Sequence, residues 1–379
     1  MVLSDEMKRI GYIFEEIYSV ENCRKAILEA SENKRKRRNV KRILENVDAY
    51  AEKLSTVIKE ESWECSPYTV RYINDGVRQK RRKIAKPRFW PDQCIHHAFD
   101  RVVGKLLAKK QYYYCTGCVK GKGIRLSKRG LELFIKRHPA WAKWVDKMDI
   151  HHCYDSVDHE SLKNMLRKKI KDETVLRGYF KIIDSYPRLA RDPETAQPQN
   201  PEIGIPIGID PSRWLLNMFL SVIDHAVKRL LGKRYFVTRY ADDIVIIGPS
   251  KRTLRKAHAM IETMLHDIKL KLKSNWQIFR LKDRPIDFLG FKFHKDRVTL
   301  RKTILLRVLR KIRRVQKIGK SVTPRMAMGL LSYKGYLKHS NSQHLRDKYI
   351  KGKISFKKLG KVVSDHERVI QRTACSNVA

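Results

Sequence analysis

The sequence predicts a mixed α+β fold built on an antiparallel sheet, and three observations predict it. The strand-like residues 68–73 and 77–84 flank Asn74-Asp75-Gly76, a tight-turn signature that reads as a β-hairpin. A second hairpin is written in the apolar runs 235–237 and 244–247, which enclose Arg239-Tyr240-Ala241-Asp242-Asp243. Between and beyond the hairpins apolar residues recur at helical spacing, so strand, helix, hairpin and helix succeed one another as in an α+β unit.

Composition narrows the class. The 379 residues suffice for two or three domains, and 42% hydrophobic content allows a real core. Lys and Arg total 83 against 40 Asp and Glu, a formal charge of +43 spread along the chain, which is the footprint of a nucleic-acid binder. No apolar run approaches the ~18 residues of a membrane span, and the N-terminus lacks an apolar signal core, so a soluble, cytoplasmic protein with no membrane partner is expected. Seven cysteines without regular spacing fit reduced thiols, and Cys115-x-x-Cys118 has no second pair at zinc-ribbon distance.

In chain order, residues 1–60 read as charged helices, with the basic run Lys34-Arg35-Lys36-Arg37-Arg38 in their first connection. After the first hairpin, 92–107 has helical spacing, and Tyr112-Tyr113-Tyr114 reads as a strand with one buried face. Residues 144–150 form a strand that runs into Asp149, followed by a helix over 160–170. Pro187, Pro193, Pro198 and Pro201 make 186–203 irregular. Helices are expected over 211–231 and 251–267, on either side of the Asp242-Asp243 hairpin, and a basic helical region begins near 300.

The chemistry is concentrated in Asp149, Asp242 and Asp243. Adjacent carboxylates at a turn repel, and a pair of divalent cations is the commonest reason for such an arrangement. The helix after Asp149 would return the second hairpin beside the first strand, so the three carboxylates would converge on one sheet edge. There they suit two metal ions that serve nucleotidyl transfer.

Five ordered segments now carry a family resemblance: Arg82-x-Ile84-x-x-Pro87, Asp149-Ile150-x-x-x-Tyr154-Asp155-Ser156-Val157-Asp158-His159, Gly204-Ile205-Pro206-Ile207-Gly208-x-x-x-Ser212, Tyr240-Ala241-Asp242-Asp243 and Phe288-Leu289-Gly290-Phe291-Lys292-Phe293. Together, over roughly 68–300, they resemble the motifs of compact prokaryotic reverse transcriptases of the diversity-generating retroelement or antiphage defence-associated kind. The resemblance implies right-hand polymerase architecture: an N-terminal helical extension over 1–66, fingers over 67–148, a palm over 149–298 with part of the fingers near 165–203, and a helical basic thumb and tail over 299–379.

It also implies the site. Asp149, Asp242 and Asp243, with the Ile150 carbonyl, would ligate two Mg²⁺ ions, Mn²⁺ being the alternative. Tyr154 would exclude a 2′-hydroxyl, and Arg82 and Lys86 would meet the triphosphate. Ile207, Gly208 and Ser212 would lie near the nucleotide and templating base, and Phe288, Leu289 and Gly290 would grip the primer end. The implied partners are dNTPs, a structured noncoding RNA template, the RNA/DNA hybrid, and an accessory protein or second polymerase from the same operon. The alternatives are a retron or intron-type enzyme, or a non-catalytic RNA-binding maturase scaffold. Two departures stand out: Ile207 occupies a position where many reverse transcriptases have Gln, and Trp276 occupies that of a customary lysine, with Lys273 as its nearest substitute.

Overall fold

A computed structural model describes residues 9–75, 80–119, 121–192, 194 and 200–376. The turn of the first hairpin beyond Asp75, with Val77, and Pro193 and Pro198 of the irregular stretch lie outside the described residues. The strands are β1 Tyr68–Asp75, β2 Lys80–Lys86, β3 Trp144–Asp149, β4 Ala190–Arg191, β5 Phe236–Tyr240, β6 Asp243–Gly248, β7 Gln277–Arg280, β8 Ile286–Phe288, β9 Phe291–Phe293 and β10 Val298–Leu300. They form sheets of order β2-β1-β4, β5-β6-β3-β7 and β10-β9-β8. The chain divides into two compact units, Met1–Leu131 with Asp146–Ile278, and Glu132–Val145 with Phe279–Ala379.

The first unit opens with helices Phe14–Tyr18, Val20–Ala30, Arg38–Glu45 and Val47–Lys59. Ser19 caps the second by accepting the Asn22 amide hydrogen, and Ile17, Ile27, Leu54 and Ile58 are wholly buried. Each such side chain contributes roughly 1.5–3 kcal/mol of burial, which holds a strongly charged segment in place. β1 and β2 pair antiparallel from Thr69 opposite Lys86 to Asp75 opposite Lys80, and β4 joins β1 in parallel.

Helix Asp210–Leu231 is the longest of the fold, with Pro211 in its first turn, where a missing amide hydrogen costs nothing. Its buried residues lie all round it, from Leu215 and Leu216 to Phe219 and Leu220, because it passes through the core of the unit. It leads into β5, and helix Lys251–Asp267 follows β6, capped by the Ser250 hydroxyl.

Two expectations need correction. Tyr112-Tyr113-Tyr114 is a turn, with Tyr113 59% exposed, because Tyr112 and Tyr114 pack to one side while the backbone bends to pair Cys115 with Arg239. The helix expected over 160–170 ends earlier, as His159–Arg167, and is started by Asp158, whose carboxylate caps the Ser161 amide.

In the second unit β8, β9 and β10 form an antiparallel meander, followed by helices Lys302–Ile318, Pro324–Leu331, Lys334–Lys338, Gln343–Tyr349 and Phe356–Ser376. Ile304, Val308, Ile312 and Val315 form the buried stripe of the first helix, while Arg310, Arg313 and Arg314 stay exposed. The first of these helices stops at Ile318 because Gly319 adopts φ +61°, and the basic helical region is interrupted again after Leu331.

Candidate active site

Tyr240 pairs with Asp243, which leaves Ala241 and Asp242 as a two-residue turn between β5 and β6. Ala241 adopts φ +54°, a conformation that costs a non-glycine residue roughly 1–2 kcal/mol. Neighbouring backbone holds the turn: the Ile150 N–H donates to the Asp242 carbonyl at 3.1 Å, and the Lys273 N–H donates to the Asp149 carbonyl at 2.8 Å. Asp149, the last residue of β3, and Asp242 are thereby fixed side by side.

Their carboxyls lie close enough to act on each other. Burial, and then the charge of Asp149, raises Asp242 above the ordinary carboxylate range. The Lys273 ammonium donates to Asp149, so the position read as the nearest substitute for a missing lysine is occupied by a cation of the cluster. Asp243 turns elsewhere: Lys147 Nζ donates to its Oδ1 at 3.0 Å. Burial pushes Asp243 up to about 6, against the pull of Lys147. Lys147 and Asp149 are two residues apart on β3 and so share a face, which is how one strand supplies both an acid and the cation for another acid.

Among the described residues no three His, Cys, Asp or Glu side chains stand together as a ready metal cage. The donor set of Asp149 and Asp242 nevertheless fits a hard divalent cation. The backbone bonds that fix Asp149 and Asp242 side by side place two oxygen donors together, and Mg²⁺ is held by one or two carboxylates plus substrate phosphates. Asp149, Asp242 and the Ile150 carbonyl would hold such an ion, and Asp243 would join them on release from Lys147.

A cavity of about 280 Å³ in the same unit is lined by Lys34, Arg71, Lys86, His96, Ile84 and Gly208, among others. Gly208 has φ +118°, and a Cβ there would come within 2.8 Å of the Ala85 carbonyl oxygen, so only glycine lets this backbone approach β2 so closely. The Ala85 N–H donates to the Ile207 carbonyl at 2.9 Å. Lys86, Ile207 and Gly208 are thus brought together by β2 and the segment before helix Asp210–Leu231. Ser212 is not on this surface; it is 1% exposed and its hydroxyl has no hydrogen-bond partner. Arg82 lies exposed on β2 opposite Ile73.

Tyr154 is half-buried in the turn after Asp149, and its carbonyl accepts the Ile205 N–H at 2.9 Å. Burial raises its hydroxyl, and Cys118 and Asp242 lie near enough to raise it further. In the second unit Leu289 and Gly290 are the two-residue turn between β8 and β9, with φ +53° and +86°, and Phe288 is wholly buried.

Sequence reasoning gave no role to Lys147 or to the side chain of Arg239, and took Lys34 only as part of a basic run suited to a phosphate backbone. Lys147 was findable, since period-two spacing puts it on the face of Asp149. Lys34 reaches the cavity from the N-terminal helical region, a placement set by tertiary packing that no local signal encodes.

The sequence matches the family model described as reverse transcriptase (RNA-dependent DNA polymerase) over residues 92–293, more than half of the chain, and the chain belongs to that family. It is 24% identical over 148 residues to the COX1/OXI3 intron 2 protein of Saccharomyces cerevisiae, which covers 39% of this chain and 16% of that protein. Among solved structures it resembles telomerase from Candida albicans in complex with a TWJ fragment of telomeric RNA, with a TM-score of 0.51 and 12% identity, over 79% of this chain and 55% of that one. Apo telomerase from Candida tropicalis is similar, with a TM-score of 0.50 and 12% identity over 73% and 55%. The chain therefore spans about half the length of these telomerase chains, and at such identity the likeness is one of fold.

Proposed function

We propose that the chain is an RNA-directed DNA polymerase that joins a primer 3′-hydroxyl to the α-phosphate of a dNTP, with release of pyrophosphate. The observation that carries this reading is the placement of Asp149 and Asp242 side by side on adjacent backbones, within a domain of the reverse transcriptase family. Bound divalent metal, two Mg²⁺ ions in this reading, would supply charge neutralisation at the phosphates and a more acidic primer hydroxyl. Asp149, Asp242 and Asp243 hold that charge in place, Lys273 stands ready to give a proton to the departing pyrophosphate, and the Tyr154 ring leaves no room for a 2′-hydroxyl. Arg82 and Lys86 meet the triphosphate, Ile207 and Gly208 shape the template side with Ser212 buried in the helix behind them, and the Leu289-Gly290 turn holds the primer end over the buried Phe288.

Of the biological settings, an intron-type enzyme that copies a structured RNA is the better supported, because the yeast protein it resembles is named for an intron. The telomerase described with a bound RNA fragment supports an RNA partner in the same way. A diversity-generating role rests on Ile207, since an apolar residue at that position resembles the enzymes of that kind, which copy adenines carelessly, and unchanged adenine misincorporation in an Ile207→Gln variant would remove that support. A non-catalytic scaffold is disfavoured, since two carboxyls side by side would repel RNA phosphates unless metal neutralised them.

The test is sequencing of the nucleic acids that copurify with the wild type and with Asp242→Asn. DNA complementary to one bound RNA, found only with the wild type, is expected; RNA with no DNA in either sample would contradict the proposal.

A further inference from the structure

Arg239 is the largest fully buried side chain of the described residues, 1% exposed, and it lies directly behind the acidic turn. Its Nε and Nη2 donate to the two carboxylate oxygens of Asp224 at 2.8 and 2.7 Å, a bidentate pair that satisfies both charges inside the protein. Asp224 belongs to helix Asp210–Leu231 and is itself 3% exposed. Nη2 also donates to the Asn217 carbonyl at 3.2 Å and approaches the Cys115 sulfur at 3.2 Å, while Nη1 donates to Asn217 Oδ1 at 3.1 Å. The remaining Nη1 hydrogen donates to the Ala241 carbonyl at 2.9 Å.

That last bond falls on the peptide that joins the left-handed Ala241 to Asp242. At the other end of Asp242 the carbonyl accepts from Ile150. Asp242 is therefore pinned on both sides, by a guanidinium whose own place is set by Asp224 and Asn217, and by the end of β3. Gly117 completes the support, since a Cβ there would lie 2.4 Å from the Ala241 nitrogen, and its carbonyl accepts from Asn217 Nδ2 at 2.5 Å.

A buried ion pair of this kind is weak evidence for stability, because well-packed apolar residues serve stability as well or better. A long guanidinium that spends a bond on one strained turn is better explained by placement. We propose that Arg239, held by Asp224 and Asn217, is a positioning residue that sets where the Asp242 carboxylate meets divalent metal, so that an internal salt bridge of the core tunes metal affinity without touching metal or substrate. The inference rests on the proposed polymerase reading for its purpose, but its own observable is metal binding.

The experiment titrates Mg²⁺ into the full chain, followed by calorimetry, for the wild type, Arg239→Lys and Gly117→Ala, with thermal melting as the check on folding. Arg239→Lys keeps the charge but loses the fork, and Gly117→Ala crowds the Ala241 backbone while leaving the ion pair intact. The expected result is a folded Gly117→Ala protein whose half-saturating Mg²⁺ concentration rises about tenfold, and the same in Arg239→Lys if it folds. A folded Arg239→Lys protein or a folded Gly117→Ala protein with wild-type Mg²⁺ binding would overturn the proposal. In primer extension the expected split is a raised Mg²⁺ requirement, with most of the rate recovered at saturating Mg²⁺. A loss of rate that no Mg²⁺ concentration restores, with binding unchanged, would also overturn it. If the wild type binds Mg²⁺ but makes no DNA, the polymerase reading fails while the positioning inference still stands or falls on the titration.

Discussion

The turn at Ala241-Asp242 in the first unit and the turn at Leu289-Gly290 in the second solve one backbone problem with opposite chemistry. Each is a two-residue hairpin connection, and each forces a non-glycine residue into the left-handed region, Ala241 at φ +54° and Leu289 at φ +53°. The acidic turn is set among polar groups: the Arg239 guanidinium behind it, the Ile150 amide beside it, and the neighbouring carboxylates Asp243, held by Lys147, and Asp149, held by Lys273. The other turn takes one backbone bond, from the Arg301 N–H to the Gly290 carbonyl at 2.9 Å, and no charged side chain among those described donates to it; beyond that it rests on packing, since a Cβ on Gly290 would lie 2.5 Å from Ile304 Cδ1 and 2.9 Å from a ring carbon of Tyr336. A turn that must present charge needs a charged scaffold, whereas one that presents only backbone can rest on an apolar floor.

The sharpest break of this comparison is Asp242→Asn, which removes the presented charge and leaves the scaffold. DNA synthesis should fall about a thousandfold or more, the scale of losing a preorganised electrostatic contact, while RNA affinity measured by filter binding stays within about twofold. Comparable synthesis in the variant would remove the acidic turn from the chemistry.

Next in size is Gly290→Ala. Overpacking against Ile304, added to the strain of φ +86°, should destabilise the second unit by about 1–3 kcal/mol, read as a lowered denaturation midpoint. An unchanged midpoint would mean that the apolar floor yields, and that the packing account of this turn is wrong.

A pH series separates the two turns further. The Asp243 pKa is raised from 3.8 to about 6 by burial, so the folded state binds its proton more tightly than the unfolded chain. Its contribution to the metal-free protein is full below pH 3.8 and is lost as pH rises through about 6, a change of up to about 3 kcal/mol. Asp243→Asn should flatten that part of the melting profile, and parallel profiles for the two proteins would contradict the assignment.

The smallest effect is expected at Asp287, one residue before Phe288 beside the second turn, where its carboxylate pairs with Arg301 in partial exposure. Asp287→Asn should cost no more than about 1 kcal/mol, as for other ion pairs near the surface. A larger loss would show that this turn, too, depends on charge.

The sequence made much of this visible. Asp149, Asp242 and Asp243 stood out because each sits at the end of an apolar strand-like run, and Gly208 and Gly290 because a glycine in an ordered motif marks a close approach. The Asp243–Lys147 pair was half legible, from the spacing of Lys147 and Asp149. Arg239 was not, although it stands two residues from Ala241, since a lone cation among 83 Lys and Arg gives no sign that it is buried. Its meaning depends on Asp224 and Asn217, which reach it only once helix Asp210–Leu231 has packed against β5. The tyrosine run misled for a related reason, because alternation of burial in three residues fits a bend as well as a strand.

The most direct measurement is primer extension on an RNA template by the purified chain with Mg²⁺, supplied with dNTPs alone or with NTPs alone. DNA complementary to the template, made with dNTPs and not with NTPs, is the result the account predicts. No extension with dNTPs, or extension as efficient with NTPs, would contradict it.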